Sequence, residues 1–357
     1  MEGTDCQNDR VIARIRGLGS RRTVDSVTGS EFAIRLWWRI FIAHIRARSM
    51  NQLLKSFLLA IAYLVSEAHA ADSTSLRVMT LNLLHGGVRL GQPLSQSVKV
   101  ITEAKADLVG VQETHAGTVN NAAIIAETLN WHHFDQGGRT SIISRHPIVG
   151  HTSRKWGVHI KLPSGRIIHA YNAHLRPSPY QPYQLASIPY GDYPFIKTEA
   201  EAVRWAKSAR GDQVERLLSE LKISLKAGHI CFLTGDLNEP SHQDWTAPVV
   251  TAGRIPIPVA YPTTRSIVAA GMLDGYRSAF PDPVKHPGWT WTPTTLPSDP
   301  KDRHDRIDYV FSNLPSKTIQ QAAVVGESKA HAKIVVKPWP TDHRAVVVEY
   351  QLPPDPE

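Results

Sequence analysis

The chain has 357 residues, 42% of them apolar and 20% charged, which excludes a disordered or collagen-like polymer and leaves enough apolar side chains for a substantial core. Two cysteines, Cys6 and Cys231, exclude a disulfide scaffold and a cysteine-based zinc site, and no apolar run reaches the roughly 18–20 residues of a membrane span. The formal net charge is +8, but residues 1–70 hold 10 Lys+Arg against 6 Asp+Glu, so half of it precedes residue 71 and the remainder is too thinly spread to argue for nucleic acid.

The first element in chain order is a targeting segment. Lys55 supplies a positive start, Phe57 to Val65 an apolar stretch, and Ala68-His69-Ala70 a small-x-small cleavage site. Residues 50–70 therefore read as a secretory signal, with Met50 as the expected start and residues 1–49, Arg-rich and without sustained periodicity, as a non-native or disordered leader. The expected location is secreted or periplasmic. Cleavage after Ala70 would leave Cys231 as a lone thiol in a single domain over residues 71–357.

Leu76 to Leu84 reads as a strand, Val98 to Ala106 as a helix and Asp107 to Gln112 as the next strand. Residues 119–130 look helical, and Ser141 to Ser144 and Arg166 to Leu175 extended. Thr198 to Leu225 predicts a long helix with Gly211 as a break point, followed by strands at His229 to Thr234, Ile307 to Ser312 and Ala345 to Tyr350. This alternation predicts a mixed α/β layered domain. Residues 176–197 interleave five prolines with Tyr180, Tyr183, Tyr190, Tyr193 and Phe195, a composition that favours an irregular loop, either contacting substrate or packed on itself.

Polar residues recur where the apolar strands end, at Asn82, Gln112-Glu113, Asn172-Ala-His174 and Asp236-Leu-Asn238, while Asp308 opens a strand and Thr341-Asp-His343 precedes the last one. In layered α/β folds the carboxyl ends of strands build the site. Taken singly, each has a bland explanation in turn chemistry or a solvated strand end. Together they form the oxygen-rich set that a hard divalent cation takes.

Seven segments in order resemble the endonuclease/exonuclease/phosphatase superfamily: Thr80-Leu-Asn82, Gln112-Glu113, Ser144-Arg-His-Pro-Ile148, Asn172-Ala-His174, Gly235-Asp-Leu-Asn238, Arg306-Ile-Asp-Tyr309 and Thr341-Asp-His343. That group includes the pancreatic-type deoxyribonucleases, the abasic-site endonucleases, the inositol polyphosphate 5-phosphatases and the neutral sphingomyelinases. The resemblance implies a four-layer α/β sandwich with two mixed β-sheets flanked by helices, and a divalent-metal hydrolase of phosphate esters. Leu237 stands where the family usually has Phe, Thr341 where Ser is frequent, and the Pro/Tyr segment after His174 is not a general family feature.

Position by position, the resemblance implies Asn82, Glu113 and Asp342 as metal ligands. It implies His174, Asp236, Asn238, Asp308 and His343 as the catalytic set, with Asp308 orienting the His343 imidazole, and either Asp236 or His343 taking the proton from water. Asn172 and Arg145 are the expected phosphate contacts. Mg²⁺ is the expected cofactor, with Mn²⁺ or Ca²⁺ as alternatives. The expected activity is a phosphodiesterase of nuclease type. A phosphomonoesterase or sphingomyelinase-type enzyme acting on a sugar, inositol or lipid head-group phosphate is the alternative, and a non-catalytic binding protein is the third reading. The partner is a phosphate ester (nucleic acid, phospholipid or small phosphoester); no obligate protein partner is inferred, and a monomer is expected.

Overall fold

A computed structural model describes residues 75–354; the leader and signal read over residues 1–70 lie outside the described residues. In chain order the strands are β1 (Ser75–Asn82), β2 (Leu108–Gln112), β3 (His115–Ala116), β4 (Val119–Asn120), β5 (His132–Gly137), β6 (Thr140–Ser144), β7 (Ile148–His151), β8 (Gly157–Lys161), β9 (Ile167–His174), β10 (Cys231–Asp236), β11 (Leu273–Asp274), β12 (Asp308–Ser312), β13 (Ile319–Gly326), β14 (Ile334–Val335) and β15 (Ala345–Gln351). Seven form one sheet, in the order β14-β13-β15-β1-β2-β6-β5. Six form a second, in the order β11-β12-β10-β9-β8-β7, and β3 and β4 make a small separate ribbon. The principal helices are α1 (Leu94–Glu103), α2 (Asn121–Leu129), α3 (Gln181–Ala186), α4 (Glu199–Lys226), α5 (Ala247–Thr251), α6 (Pro262–Ala269) and α7 (Gly275–Ala279).

Strand periodicity decides the layers. On β1, Leu76 and Val78 face the second sheet and pack with Val158, Ile168, Phe232 and Val310 from it. The alternate residues Met79 and Leu81 face outward, against Val100 and Ile101 of α1 and Ile125 of α2. The outer face of the second sheet does the same: Tyr171, Leu233 and Phe311 meet Leu217 and Leu221 of α4 and Ile267 of α6. The result is the expected four-layer α/β sandwich, two mixed sheets flanked by helices.

Helix α4 runs 28 residues without a break at Gly211. A Thr198/Glu201 capping box starts it. Buried Ala202, Ala206 and Ala209 before the glycine, and Val214 and Leu217 after it, hold both halves down. That packing outweighs the roughly 0.5–1 kcal/mol a mid-helix glycine costs. Strands β7, β8 and β13 were not legible as apolar runs. β7 alternates half-buried and exposed residues at a sheet edge, and β13 opens on Gln320 and Gln321.

The inner layer changes character along its length. The apolar contacts around Leu76 and Val78 give way to a buried polar row of Thr80, Gln112, Asn172 and Thr234. Gly110 sits in that row, where a Cβ would lie 1.9 Å from Thr234 Oγ1 and 2.5 Å from Asn172 Oδ1. Only a residue without a side chain lets the two sheets approach this closely.

Candidate active site

Strand register brings the predicted residues together. β1 and β2 are parallel, with Asn82 opposite Gln112. β9 and β10 are parallel, with Asp236 opposite His174, and antiparallel β12 sets Asp308 opposite Asp236 on the other side. Cross-strand partners share a face, so His174, Asp236 and Asp308 stand side by side on the inner face of the second sheet. β15 is antiparallel to β1, so the segment preceding it, with Asp342 and His343, arrives at the same end.

The two sheets meet at Asn82. Its Nδ2 donates to Asp236 Oδ2 at 2.9 Å and to Glu113 Oε1 at 3.3 Å, while its Oδ1 accepts from the Leu84 backbone N–H at 2.9 Å. The His85 backbone N–H donates to the other Glu113 oxygen at 3.1 Å. Leu84, His85, Glu113 and Asn238 all carry positive φ (54°, 50°, 51° and 49°). Such conformations are costly for residues with side chains and collect where a site fixes their direction. Burial works to raise the Glu113 pKa, but His174, the His85 N–H, Asn82 and His343 outweigh it and leave the carboxylate below its ordinary value.

His343 lies between two carboxylates. Its Nδ1 donates to Asp308 Oδ2 at 2.9 Å, and its Nε2 stands 3.7 Å from Asp236 Oδ2. His174 Nε2 approaches the same Asp236 oxygen to 3.6 Å. Burial alone would drive the His343 pKa down; Asp308, Asp236 and Asp342 reverse that and raise it to about 10. Asp236 is displaced upward, first by burial and then by Asp308, with both histidines opposing. Its Oδ1 accepts from the Asn238 N–H at 2.9 Å, and the Asn238 carboxamide is tied to the Leu175 carbonyl at 2.9 Å.

Two groupings bear on a cation. Asp236, Asp308 and His343 bring ligand-type atoms within 4.8 Å of one another. In that trio His343 Nδ1 is occupied by Asp308, and a protonated ring has no free lone pair for a metal. Glu113, Asp342 and Asn82 are the better fit. The Asp342 carboxyl is raised by burial and further by the Glu113 and Asp236 charges. A divalent cation relieves that repulsion and prefers oxygen donors. Asn82 turns its Nδ2 toward Glu113, so ligation through its oxygen requires the carboxamide to turn over.

These groups open into a cavity of about 390 Å³. Its lining includes the polar groups Glu113, His174, Asp236, Asn238, Asp342 and His343. It also includes Pro177, Tyr180, Tyr183, Tyr190, Trp291 and Ile307, so the Pro/Tyr segment does border the site. Burial, followed by the Asp236 and Glu113 charges, raises the Tyr190 hydroxyl pKa. Trp291 packs on the His343 ring at 4.9 Å. Trp291 and Ile307 flank residues already singled out, and the signal for Ile307 was its place inside Arg306-Ile-Asp-Tyr309. Behind the lining, buried Arg306 pairs with Asp244 at 2.8 Å and with Asp274 at 2.7 Å, fixing the start of β12.

Two expected phosphate contacts are placed elsewhere. Arg145 follows β6, which is antiparallel to β2, so it lies at the opposite end of the sandwich, paired with Asp107 at 3.1 Å and over the Trp131 ring. Asn172 shares a face with His174 but sits one row deeper. Its Nδ2 donates to the Val111 and Ser141 carbonyls, each at 3.1 Å, and to Gln136 Oε1 at 3.0 Å; its Oδ1 accepts from Gln112 Nε2 at 2.6 Å. With no exposed surface, Asn172 holds the sheets together and does not reach the cleft. The remaining eight predicted residues converge.

The model of the Endonuclease/Exonuclease/phosphatase family matches residues 79–343. An uncharacterized protein of Caenorhabditis elegans is 26% identical over 305 residues, covering 78% of this chain and 92% of its own length. Among solved structures, an AP endonuclease from Archaeoglobus fulgidus is 14% identical with a TM-score of 0.48, and covers 78% of this chain and 100% of its own. The 3′ phosphatase NExo from Neisseria, bound to a product DNA hairpin, is 15% identical with a TM-score of 0.49, at the same 78% and 100% coverage. With that match spanning residues 79–343 and eight of the predicted site residues gathered at one end of the sandwich, the chain belongs to the endonuclease/exonuclease/phosphatase family of phosphate-ester hydrolases.

Proposed function

We propose that the protein is an exported, divalent-metal-dependent phosphodiesterase. The observation that carries the activity is Asp236, buried and standing 3.6 Å from His174 Nε2 and 3.7 Å from His343 Nε2. A carboxylate and two imidazoles thus surround one spot. Export rests on the pattern of residues 50–70.

Glu113 and Asp342, with Asn82, would hold the cation, Mg²⁺ by the hardness of these donors. When bound, it supplies charge neutralisation at the phosphoryl group. The protein's own groups divide the rest. His343, kept protonated by Asp308, is a cation aimed at the phosphoryl oxygens and a poor base. Asp236, with its pKa raised, is the proton acceptor for an attacking water. As the water oxygen bonds to phosphorus and the ester P–O bond breaks, Asp236 takes the water proton and His174 gives one to the departing alkoxide. Acid help of this kind is worth roughly 10²–10⁴-fold and matters most for a poor, alkoxide leaving group.

The test is turnover by the purified protein with Mg²⁺, on bis-p-nitrophenyl phosphate and on p-nitrophenyl phosphate. Cleavage of the diester, lost in His343→Ala, is the expected result. Preference for the monoester would replace this reading with a phosphomonoesterase. Failure on a broad ester panel with Mg²⁺, Mn²⁺ and Ca²⁺ would leave a binding protein.

A further inference from the structure

The phosphodiesterase reading leaves open which diester enters, and the aromatic part of the cavity lining addresses that. Among the described residues no Lys or Arg lines the cavity, and the basic side chains there are His85, His174 and His343. Arg139 touches the rim at His85, but its guanidinium donates to the His115 carbonyl at 2.7 Å. Three carboxylates, Glu113, Asp236 and Asp342, line the same space. One phosphate can be matched by a cation and His343. Inside the cavity a second phosphate would face the carboxylates and aromatic rings, with His85 as the remaining basic side chain. Nucleic acid enzymes rely on Lys, Arg or backbone N–H groups along the strand for most of their affinity.

What the lining does offer is aromatic surface, and it is rigid. Tyr180 donates its hydroxyl to Asp305 at 2.9 Å, the Tyr183 hydroxyl donates to Asp302, and Trp291 Nε1 donates to the Tyr183 oxygen at 3.2 Å. The segment is anchored from below by Arg210, which has no exposed side-chain surface. Its Nη1 donates to the Arg176 carbonyl at 3.1 Å and the Pro179 carbonyl at 3.3 Å, and its Nε pairs with Glu239 at 3.0 Å. Tyr190 stands at the open end, 44% exposed, its ring edge-on to Tyr183 at 5.6 Å. Tyr180 and Tyr183 have their hydroxyls engaged, and with the Tyr190 ring beside them they present aromatic surface suited to flat or apolar groups.

We propose that the cleft selects diesters whose phosphate stands alone and carries a flat or apolar organic group, that it discriminates against polynucleotides, and that Tyr190 is a specificity-determining residue. The proposal rests on the phosphodiesterase reading. It uses features of this chain, the Pro/Tyr segment over residues 176–197 above all.

The full chain with Mg²⁺ would be given phenyl p-nitrophenyl phosphate and methyl p-nitrophenyl phosphate, which share a leaving group and a charge, together with single-stranded and duplex DNA. After each ester is normalised to its own hydroxide rate, kcat/KM should favour the phenyl ester by about threefold to tenfold, the scale of one aromatic contact. Tyr190→Ala should bring that ratio close to one, and Tyr190→Phe should retain it. Either DNA cleaved with a kcat/KM equal to or above that of the phenyl ester would overturn the selectivity while leaving the phosphodiesterase reading standing. A phenyl-to-methyl ratio unchanged in Tyr190→Ala would remove Tyr190 from the proposal. No turnover of any of the four would overturn both readings.

Discussion

Asn82 Nδ2 and Asp236 Oδ2 lie 2.9 Å apart, although the two residues end strands of different sheets. This bond closes the sandwich at its polar end and orients the carboxylate assigned to take a proton. Asn82→Ala should lower kcat by about 10²-fold, the usual scale for removing one preorganised donor. Asn82→Asp should do more harm, because it sets a third negative charge beside Asp236 and Glu113. Steady-state rates at saturating Mg²⁺, with circular dichroism to check the fold, distinguish these outcomes.

Asp308 binds His343 at 2.9 Å and acts on the chemistry chiefly through it. Their effects should therefore not add. Asp308→Asn and His343→Ala should each lower kcat, and the double variant should be about as slow as His343→Ala alone. Additive losses in a double-mutant cycle would show that Asp308 acts independently.

Chelation by EDTA should abolish turnover without unfolding the domain, and added Mg²⁺ should restore it. The core is built from apolar contacts between sheets and helices that do not involve Glu113 or Asp342. Glu113→Gln should shift the Mg²⁺ activation curve to higher concentration. A curve that does not move would argue against Glu113 as a ligand.

Stability should depend on pH in two windows. His169, stacked between His159 at 4.1 Å and His229 at 4.0 Å, has its pKa lowered to about 4, first by burial and then by those neighbours. The unfolded chain takes up that proton near pH 6.5 and the native state does not, so acid destabilises the fold progressively from about pH 6.5 to 4. His343 has the opposite sign. Its pKa is about 10, so its contribution is complete below about pH 6.5 and is lost as pH rises toward 10. Urea titrations across pH should show the acid limb weakened in His169→Gln and the alkaline limb weakened in His343→Gln.

Gly110→Ala should destabilise the domain by about 1–3 kcal/mol or more, since its Cβ would meet Thr234 Oγ1 at 1.9 Å with a buried amide at its back. A thermal midpoint equal to that of the parent would mean that the sheets can separate locally. The coincidence of Gly110 with the tightest inter-sheet contact could not be seen from the surrounding run Leu108–Gln112, which reads as an ordinary buried strand.

Much of the site was legible because buried strands are apolar, so a carboxylate, amide or imidazole at the end of one stands out. Asn82, Glu113, His174, Asp236, Asn238, Asp308, Asp342 and His343 were found this way, and the fold brings them to one end. Arg145 came instead from a segment of the family resemblance, and its place in space does not fit a phosphate contact. β6 runs antiparallel to β2, so the residue after it lies beside Asp107 at the start of β2. Asn172 stood out at a strand end, but it is level with Thr234, one row inside the sandwich, where its polar atoms are taken up by neighbours. The Pro/Tyr segment showed its composition in the sequence but not its face, because proline-rich loops have no periodicity to reveal one.

The sequence by itself determined which residue types are available for chemistry, and a mixed α/β layered arrangement; two sheets between two helical layers was what the family resemblance implied. Strand direction, register and the anchoring of residues 176–197 by Arg210 were decided only in three dimensions. Those depend on which chain segments become neighbours, and long-range pairing leaves no local periodic trace along the chain.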